Sequence, residues 1–203
     1  MSQADLNALI VANLRDLEGA ASHVANVLQK EIGSAINDVV TRLKADAGWD
    51  GEVDWGDDGI WVAPKTWLKD DVNVGDKYLC QFSFEADDEV KDELDFFWLS
   101  QLVGAGQARL GFRWSRNNVT KGRWRKAVGQ QTNLIAKLRS LGFTYGEASG
   151  AFFLPVTVEA AELTKAVADE SPDQALQPIR DAFQRLVEAT ALFDQLIETI
   201  VIE

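Results

Sequence analysis

The chain has 203 residues, a formal net charge of -12 at pH 7 and an apolar content of 46%. This length and composition suffice for one substantial domain with a hydrophobic core. One cysteine, Cys80, excludes an intrachain disulfide, and one histidine, His23, leaves too few ligands for a structural zinc or haem site, so no cofactor or metal is expected. Because the apolar runs are short and the start MSQADLN lacks a basic and apolar stretch, we expect neither a membrane span nor a signal peptide. We therefore expect a soluble cytoplasmic protein.

The first 46 residues are predicted to form one long amphipathic helix or a helical hairpin, because apolar side chains recur three or four residues apart. Leu6, Leu17 and Leu28 are spaced at eleven residues, which favours a nearly straight helix over a left-handed coiled coil. An unbroken helix through this segment would be about 64 Å long. Gly19 and Gly33 are the predicted places for a break.

Four of the seven tryptophans lie within residues 49–67 at intervals of six. A tight loop at residues 57–59, with glycine supplying a positive φ angle, predicts a β-hairpin that sets Trp55 directly across from Trp61. Paired tryptophans bury large apolar areas. We therefore interpret them as part of the core, in preference to a platform for ligand stacking.

Residues 51–156 predict antiparallel strands, because polarity alternates with a period of two. In KYLCQFSFE, Cys80 shares the buried face with the aromatic side chains, whereas in ARLGFRW both Arg109 and Arg113 point away from the apolar face. DFFWLSQLV, between them, is predicted as a strand too apolar for an edge. FTYGEASGAFFLPV predicts a hairpin that turns at residues 147–150.

One helix is predicted before the last hairpin, and two more are predicted after it. TKGRWRKAVGQQTNLIAKLRSL, residues 120–141, carries an apolar stripe, with Thr120 as N-cap and Gly142 as the C-terminal stop. A short helix near residues 158–168 precedes a final helix that begins at SPDQAL and has heptad spacing. This helix and the N-terminal one could pair with each other, pack on the sheet, or join two copies in a homodimer.

The predicted fold is therefore α+β, an antiparallel sheet of about six strands framed by long N- and C-terminal amphipathic helices. It divides into an N-terminal helical segment over 1–46, a sheet domain over 47–157 with the inserted basic helix, and C-terminal helices over 158–203.

Several stretches that resemble known sites fail on spacing. DWGDDG resembles a calcium loop, but Gly56 and Lys65 fall at ligand positions when Gly59 takes the place of the invariant glycine. GAGQARLG precedes a strand and not a helix, so we interpret it as a turn and not as a phosphate loop. Paired acids such as those in the acidic loops have no recognisable catalytic spacing. An enzymatic function is therefore ranked third, after the two binding functions described below. A cleft joining three carboxylates would favour it.

Charge is strongly segregated along the chain. Residues 98–146 carry nine basic side chains and no carboxylate, whereas residues 46–97 carry sixteen acidic and four basic ones. Guanidinium groups suit phosphate, and an exposed Trp114 or Trp124 could stack on a base. The cations could instead pair with the acidic strands, which is the stronger alternative, or bind an acidic protein. The candidate polyanion-binding residues are Arg109, Arg113, Arg116, Lys121, Arg123, Arg125 and Lys126.

The leading prediction is a non-catalytic interaction module whose basic surface contacts nucleic acid or another polyanion. The alternative is an acidic inhibitor that mimics phosphate and occupies a nucleic-acid-binding protein. Its candidate surface comprises the cluster at residues 85–95 and Asp54, Asp57, Asp58, Asp70, Asp71, Asp87 and Asp88.

The order GIWVAPKTW, KYLCQFSFE and ARLGFRW resembles the antiparallel-strand region found downstream of the nuclease core in prophage and defence proteins of the PD-(D/E)XK nuclease superfamily. The resemblance covers about half of the chain. It implies a phage-related or defence setting and an accessory recognition module. The nuclease motif does not carry over, because the only Glu-x-Lys, at residues 89–91, lacks a suitable upstream aspartate on a strand.

Overall fold

The architecture is α+β, as predicted, with helices packed against one antiparallel sheet. It is seen in a computed structural model that describes residues 1–56, 58–68, 77–87, 95–116 and 120–201. The strands follow the order β1-β2-β3-β4-β6-β5, and each neighbouring pair is antiparallel. Their bounds are β1 Asp50–Asp54, β2 Gly59–Ala63, β3 Cys80–Ala86, β4 Leu110–Arg116, β5 Thr144–Gly146 and β6 Ala151–Pro155.

Helices precede, interrupt and follow the sheet. No helix in the described part of the chain combines the length and apolarity needed to cross a bilayer. A π-helical turn at Val24–Leu28 and two 3-10 turns, at Lys65–Trp67 and Pro172–Leu176, connect the elements. The α-helices are α1 Gln3–Ala12, α2 Leu14–His23, α3 Gln29–Asp46, α4 Trp98–Leu102, α5 Lys121–Gly129, α6 Thr132–Ser140, α7 Ala160–Ala168 and α8 Gln177–Val201.

The core lies between the inner face of the sheet and the long helix α8. Phe193 of α8 is fully buried and stacks on Trp114 of β4 with ring centroids 4.5 Å apart. The same ring meets Phe82 of β3 at 5.3 Å and Phe152 of β6 at 5.5 Å. One aromatic side chain thus joins three strands to the C-terminal helix.

The terminal helices pair with each other inside the molecule, since α3 packs against α8 as well as against β1. The helix does not break at either predicted glycine. Gly33 lies within α3, where a Cβ would come 3.3 Å from Cδ1 of Trp55, so the missing side chain admits the indole. The interruptions fall instead at Asn13, with φ -115°, and at the π-helical turn.

The predicted pairing of Trp55 with Trp61 is wrong. Asp54 pairs with Gly59, so Trp61 lies opposite Glu52. The chain turns over a longer loop than predicted, and such a change of register moves side chains to the other face of a sheet. Trp55 packs against Phe84 at 5.1 Å on the inner face, and Trp61 lies on the outer face. The prediction that these tryptophans belong to the core is confirmed for Trp67, which is 2% exposed.

Two further boundaries differ from the predictions. DFFWLSQLV forms no strand over its described residues but contains the short helix α4. The basic helix is divided in two between α5 and α6, where Gly129 ends the first and Gln131 has a ψ angle of 52°. The hairpin at residues 147–150 and the stop at Gly142, with φ 94°, are confirmed.

Candidate polyanion interface

The two strand arginines in the predicted basic surface are paired within the molecule. Nη2 of Arg109 lies 2.6 Å from Oδ2 of Asp87, and Nη2 of Arg113 lies 3.7 Å from Oδ1 of the same carboxylate. Nε of Arg113 also donates to Glu85, which lies on the neighbouring strand β3. Antiparallel pairing of β3 with β4 therefore brings the acidic and basic segments together. Arg113 is mostly buried and is not displayed for a polyanion, whereas the Arg109 side chain is 48% exposed but is held in an ion pair.

Phe153 completes this network on the outer face of the sheet. The guanidinium carbons of Arg109 and Arg113 lie 5.8 and 5.5 Å from the centre of its ring, and the ring is 2% exposed. Gly111 leaves room for the ring, because a Cβ at this position would come 2.7 Å from Cζ of Phe153. The guanidinium groups here cover an apolar side chain as well as balancing two acids.

Arg116 has a different environment. Its guanidinium carbon lies 4.9 Å from the centre of the Trp124 ring, and burial lowers the pKa of the side chain. Trp124 and Trp114 are 1% and 3% exposed, so neither indole can stack on a base from its present position. The suggested role of these tryptophans in base stacking is therefore wrong, and they serve the core.

Trp124 fixes the position of α5. Its Nε1 donates a 2.7 Å hydrogen bond to the carbonyl of Gly150 in the β5–β6 turn, and its ring lies 4.9 Å from that of Trp114. Gly150 adopts a φ of 72°, and a Cβ there would come 2.8 Å from Cδ1 of the indole. The glycine therefore allows the turn and the helix to approach each other closely.

The other described cations of the acid-free segment lie on exposed faces of α5 and α6. Among the described residues, none of these side chains forms an ion pair with a carboxylate. The side chain of Lys121, at the start of α5, lies outside the described residues. We call the following five side chains the helical basic surface: Arg123, Arg125, Lys126, Lys137 and Arg139.

A cleft of about 380 Å³ opens within this surface between α5, α6 and β5. Arg125 and Arg139 line it together with Thr132, Tyr145 and Glu147. Burial and the carboxylate of Glu147 raise the pKa of Tyr145, while the two arginines lower it. The cleft thus offers two guanidinium groups, two hydroxyl donors and one carboxylate, a set suited to a phosphate or carboxylate group.

The candidate residues predicted from the sequence did not include Lys137, Arg139 or Tyr145. Lys137 and Arg139 belong to the same acid-free segment as the predicted residues, but their proximity to α5 depends on the break at Gln131. Tyr145 carried no signal, because a tyrosine at a hairpin is usual in any sheet.

Most of the predicted acidic surface lies outside the described residues, and one described member is buried. Asp87 is 4% exposed and held by two arginines, so it cannot face a partner. Asp54 is half-buried and Asp58 is exposed, both near the β1–β2 turn. The other members lie outside the described residues: Asp57, Asp70, Asp71 and Asp88.

Metal binding finds no support in the part of the chain that is described. No three histidine, cysteine, aspartate or glutamate side chains there are grouped closely enough to hold an ion. Cys80 is 4% exposed, as expected for a packed thiol. The chain matches no protein-family model, no curated protein and no solved structure.

Proposed function

We propose that the protein is a non-catalytic binding module that contacts nucleic acid through the helical basic surface. The observation that carries this proposal is the exposure of five cations on α5 and α6 around a cleft, with no ion-paired acid among the described residues. A helix pair with spaced arginines and lysines can follow a phosphate backbone, and the cleft can receive one phosphate.

The acids near the β1–β2 turn do not oppose such contact, because distance and salt separate them from the helical basic surface. Strand order puts β1 and β5 at opposite edges of the sheet. Five strand spacings of about 4.8 Å separate these edges by roughly 24 Å. The Debye length is about 10 Å at 0.1 M salt, so acids near the β1–β2 turn are largely screened from a ligand on α5.

The proposal is narrower than the prediction from sequence. Arg109 and Arg113 are left out because Asp87 and Glu85 hold them. The resemblance to an accessory region of nuclease-superfamily proteins agrees with a recognition role, and the phage-related or defence setting stays a prediction. The acidic-inhibitor hypothesis is weaker, since Asp87 is buried.

Fluorescence anisotropy with a labelled 24-nucleotide single strand and the matching duplex tests the proposal between 20 and 200 mM salt. With about five phosphate contacts, log K should fall against log salt with a slope of about -3.5 for the single strand or -4.5 for the duplex. The double variant R125E/R139E should weaken binding at least about tenfold and make the slope shallower by roughly two contacts.

The matched control is K30E/R42E, which makes the same change of charge at two exposed positions of α3. It should bind nearly as the wild type does. Absence of wild-type binding at 20 mM salt would reject the proposal, as would equal losses in both double variants. Competition with DNA for a basic protein, without direct DNA binding, would favour the acidic inhibitor instead.

A further inference from the structure

The first residues of the chain form a helical arm whose apolar side chains are exposed or half-buried. We define the arm as residues 3–28, comprising α1, α2 and the π-helical turn. None of its residues is buried, and the first buried side chain of the chain is Ile32. Leu14 is 57% exposed and Leu17 is 48% exposed. α1 and α2 have ten residues each, and helices this short are only marginally stable alone in water, so covering these side chains would stabilise them.

Three exposed and three half-buried apolar side chains of the arm form a seam with coiled-coil spacing. The intervals between its members alternate between four and three residues, which places those of α2 at a and d positions of a heptad. Ile10 precedes the interruption at Asn13, and Val24 and Leu28 lie in the π-helical turn, where they line an apolar groove. No polar residue interrupts this series. The seam residues are Ile10, Leu14, Leu17, Ala21, Val24 and Leu28.

The positions that flank the seam are suited to a second copy of the same helix. Between residues 10 and 28 they are occupied by Val11, Asn13, Glu18, Ala20, Ala25 and Val27. Glu18 is the only charged residue among them, so two arms can approach with little repulsion between like charges. Val11 is 73% exposed and would add apolar contact at the margin of the seam.

An apolar groove of about 500 Å³ lies at the base of the arm. The seam runs directly into it, because Val24 and Leu28 form part of its wall. The remaining wall comes from α4, α7 and neighbouring residues, including Phe97, Val103, Leu163 and Val167. The surface to be covered is thus continuous from the arm into the body of the protein.

We propose that two copies of the chain associate through antiparallel arms, with the tip of each arm seated in the groove of the other copy. In this register Leu6 of one copy comes opposite the groove of the second copy, beyond Leu28 in its wall. Each copy supplies an arm and a groove, so one two-fold axis covers both exposed surfaces and leaves none for further growth. The layers are Ile10 with Leu28, Leu14 with Val24 and Leu17 with Ala21, each formed twice.

The area is sufficient for a stable dimer. Covering one Leu, Ile or Val side chain removes roughly 60 to 120 Å² of apolar surface from water. Because Ala21 is small and Ala21, Val24 and Leu28 are already half-buried, the six seam residues from each of two copies bury on the order of 800 Å². The flanking valines and the groove bring the total to the roughly 1,200 Å² at which stable interfaces begin.

Sedimentation velocity without nucleic acid tests the association from 1 to 100 µM protein. The wild type should be dimeric, and L14E/L17E should weaken association at least about tenfold because it puts carboxylates into the seam. The matched control is L9E, since Leu9 is 54% exposed on the same helix but lies off the seam. Tryptophan fluorescence checks the body of each variant, because all seven tryptophans lie outside the arm.

Cysteine cross-linking tests the orientation and the groove. In the antiparallel register, I10C should cross-link to L28C when the two variants are mixed, and I10C alone should not cross-link. V167E, in the groove and outside the arm, should weaken association. A monomeric wild type at 100 µM, equal effects of L9E and L14E/L17E, or efficient cross-linking of I10C to itself would overturn the proposal.

Discussion

Arg109 and Asp87 form an ion pair across the β3–β4 boundary, with Nη2 of the arginine 2.6 Å from Oδ2 of the carboxylate. The backbone confirms the pairing, because the amide of Asp87 donates to the carbonyl of Arg109 at 2.9 Å. Asp87 is 4% exposed, and Arg113 approaches the same carboxylate from the other side. One buried acid therefore neutralises cations that the sequence alone assigns to a binding surface.

Replacement of Asp87 by asparagine should destabilise the fold. It removes the charge that Arg109 and the mostly buried Arg113 share, at a cost of about 2 kcal/mol in the free energy of unfolding. Arg113 keeps its contact with Glu85, which limits the loss. Urea unfolding followed by tryptophan fluorescence measures the change. The control D58N, at an exposed position, should differ from the wild type by less than about 0.5 kcal/mol, and an equally small effect of D87N would contradict the prediction.

Gly150 to alanine should destabilise the protein by about 1 to 2 kcal/mol. The new Cβ would come 2.8 Å from Cδ1 of Trp124, at a residue whose φ is 72°. Gly122 in α5 supplies the contrast, because a Cβ there meets nothing within 4 Å. G122A should stabilise the helix by up to about 1 kcal/mol. Thermal unfolding of both variants measures the difference, and effects of the same sign would count against the proposed role of Gly150.

Tyr78 to phenylalanine should reduce stability in a way that depends on pH. The hydroxyl of Tyr78 donates to Asp50 at 2.6 Å, and this bond is the main reason that the pKa of Asp50 is lowered from 3.8 to about 2. Because the folded-state pKa lies below the unfolded one, the stabilisation is complete above about pH 4 and is lost as the pH falls towards 2.

The difference in stability between the wild type and Y78F should therefore be larger at pH 6 than at pH 2. Asp50 is 40% exposed, so after allowance for solvent screening we expect on the order of 1 kcal/mol at pH 6. Urea unfolding at both pH values, with Y145F as a control, measures it. NMR titration should show the pKa of Asp50 rising towards its ordinary value in Y78F. A difference independent of pH would reject the role of this hydrogen bond.

Phe193 to alanine should be the most damaging of these changes. The ring touches three strands and is 0% exposed, and removing such a side chain costs about 3 to 5 kcal/mol because a cavity remains. V187A, on the same helix at a position 38% exposed, should cost less than about 1 kcal/mol. The denaturant midpoints of the two variants measure the difference. Similar midpoints would contradict the central role of Phe193 in the core.

The sequence by itself determined the fold class and most of the elements. Period-two alternation predicted strands such as β3 and β4, and the three-and-four spacing predicted the terminal helices, because these patterns follow from local backbone geometry. Gly142 marked the end of α6 in the same way, since a φ of 94° is readily adopted only by glycine.

Only the tertiary structure decided which charges are paired within the molecule. Arg109 and Arg113 read as surface cations along the chain, but the β3–β4 register places Asp87 and Glu85 beside them. Register and strand order depend on contacts between residues distant in sequence, which a local pattern does not encode. The same reason hid Arg139 and Tyr145 from prediction, because the cleft that they share exists only after α5, α6 and β5 have packed together.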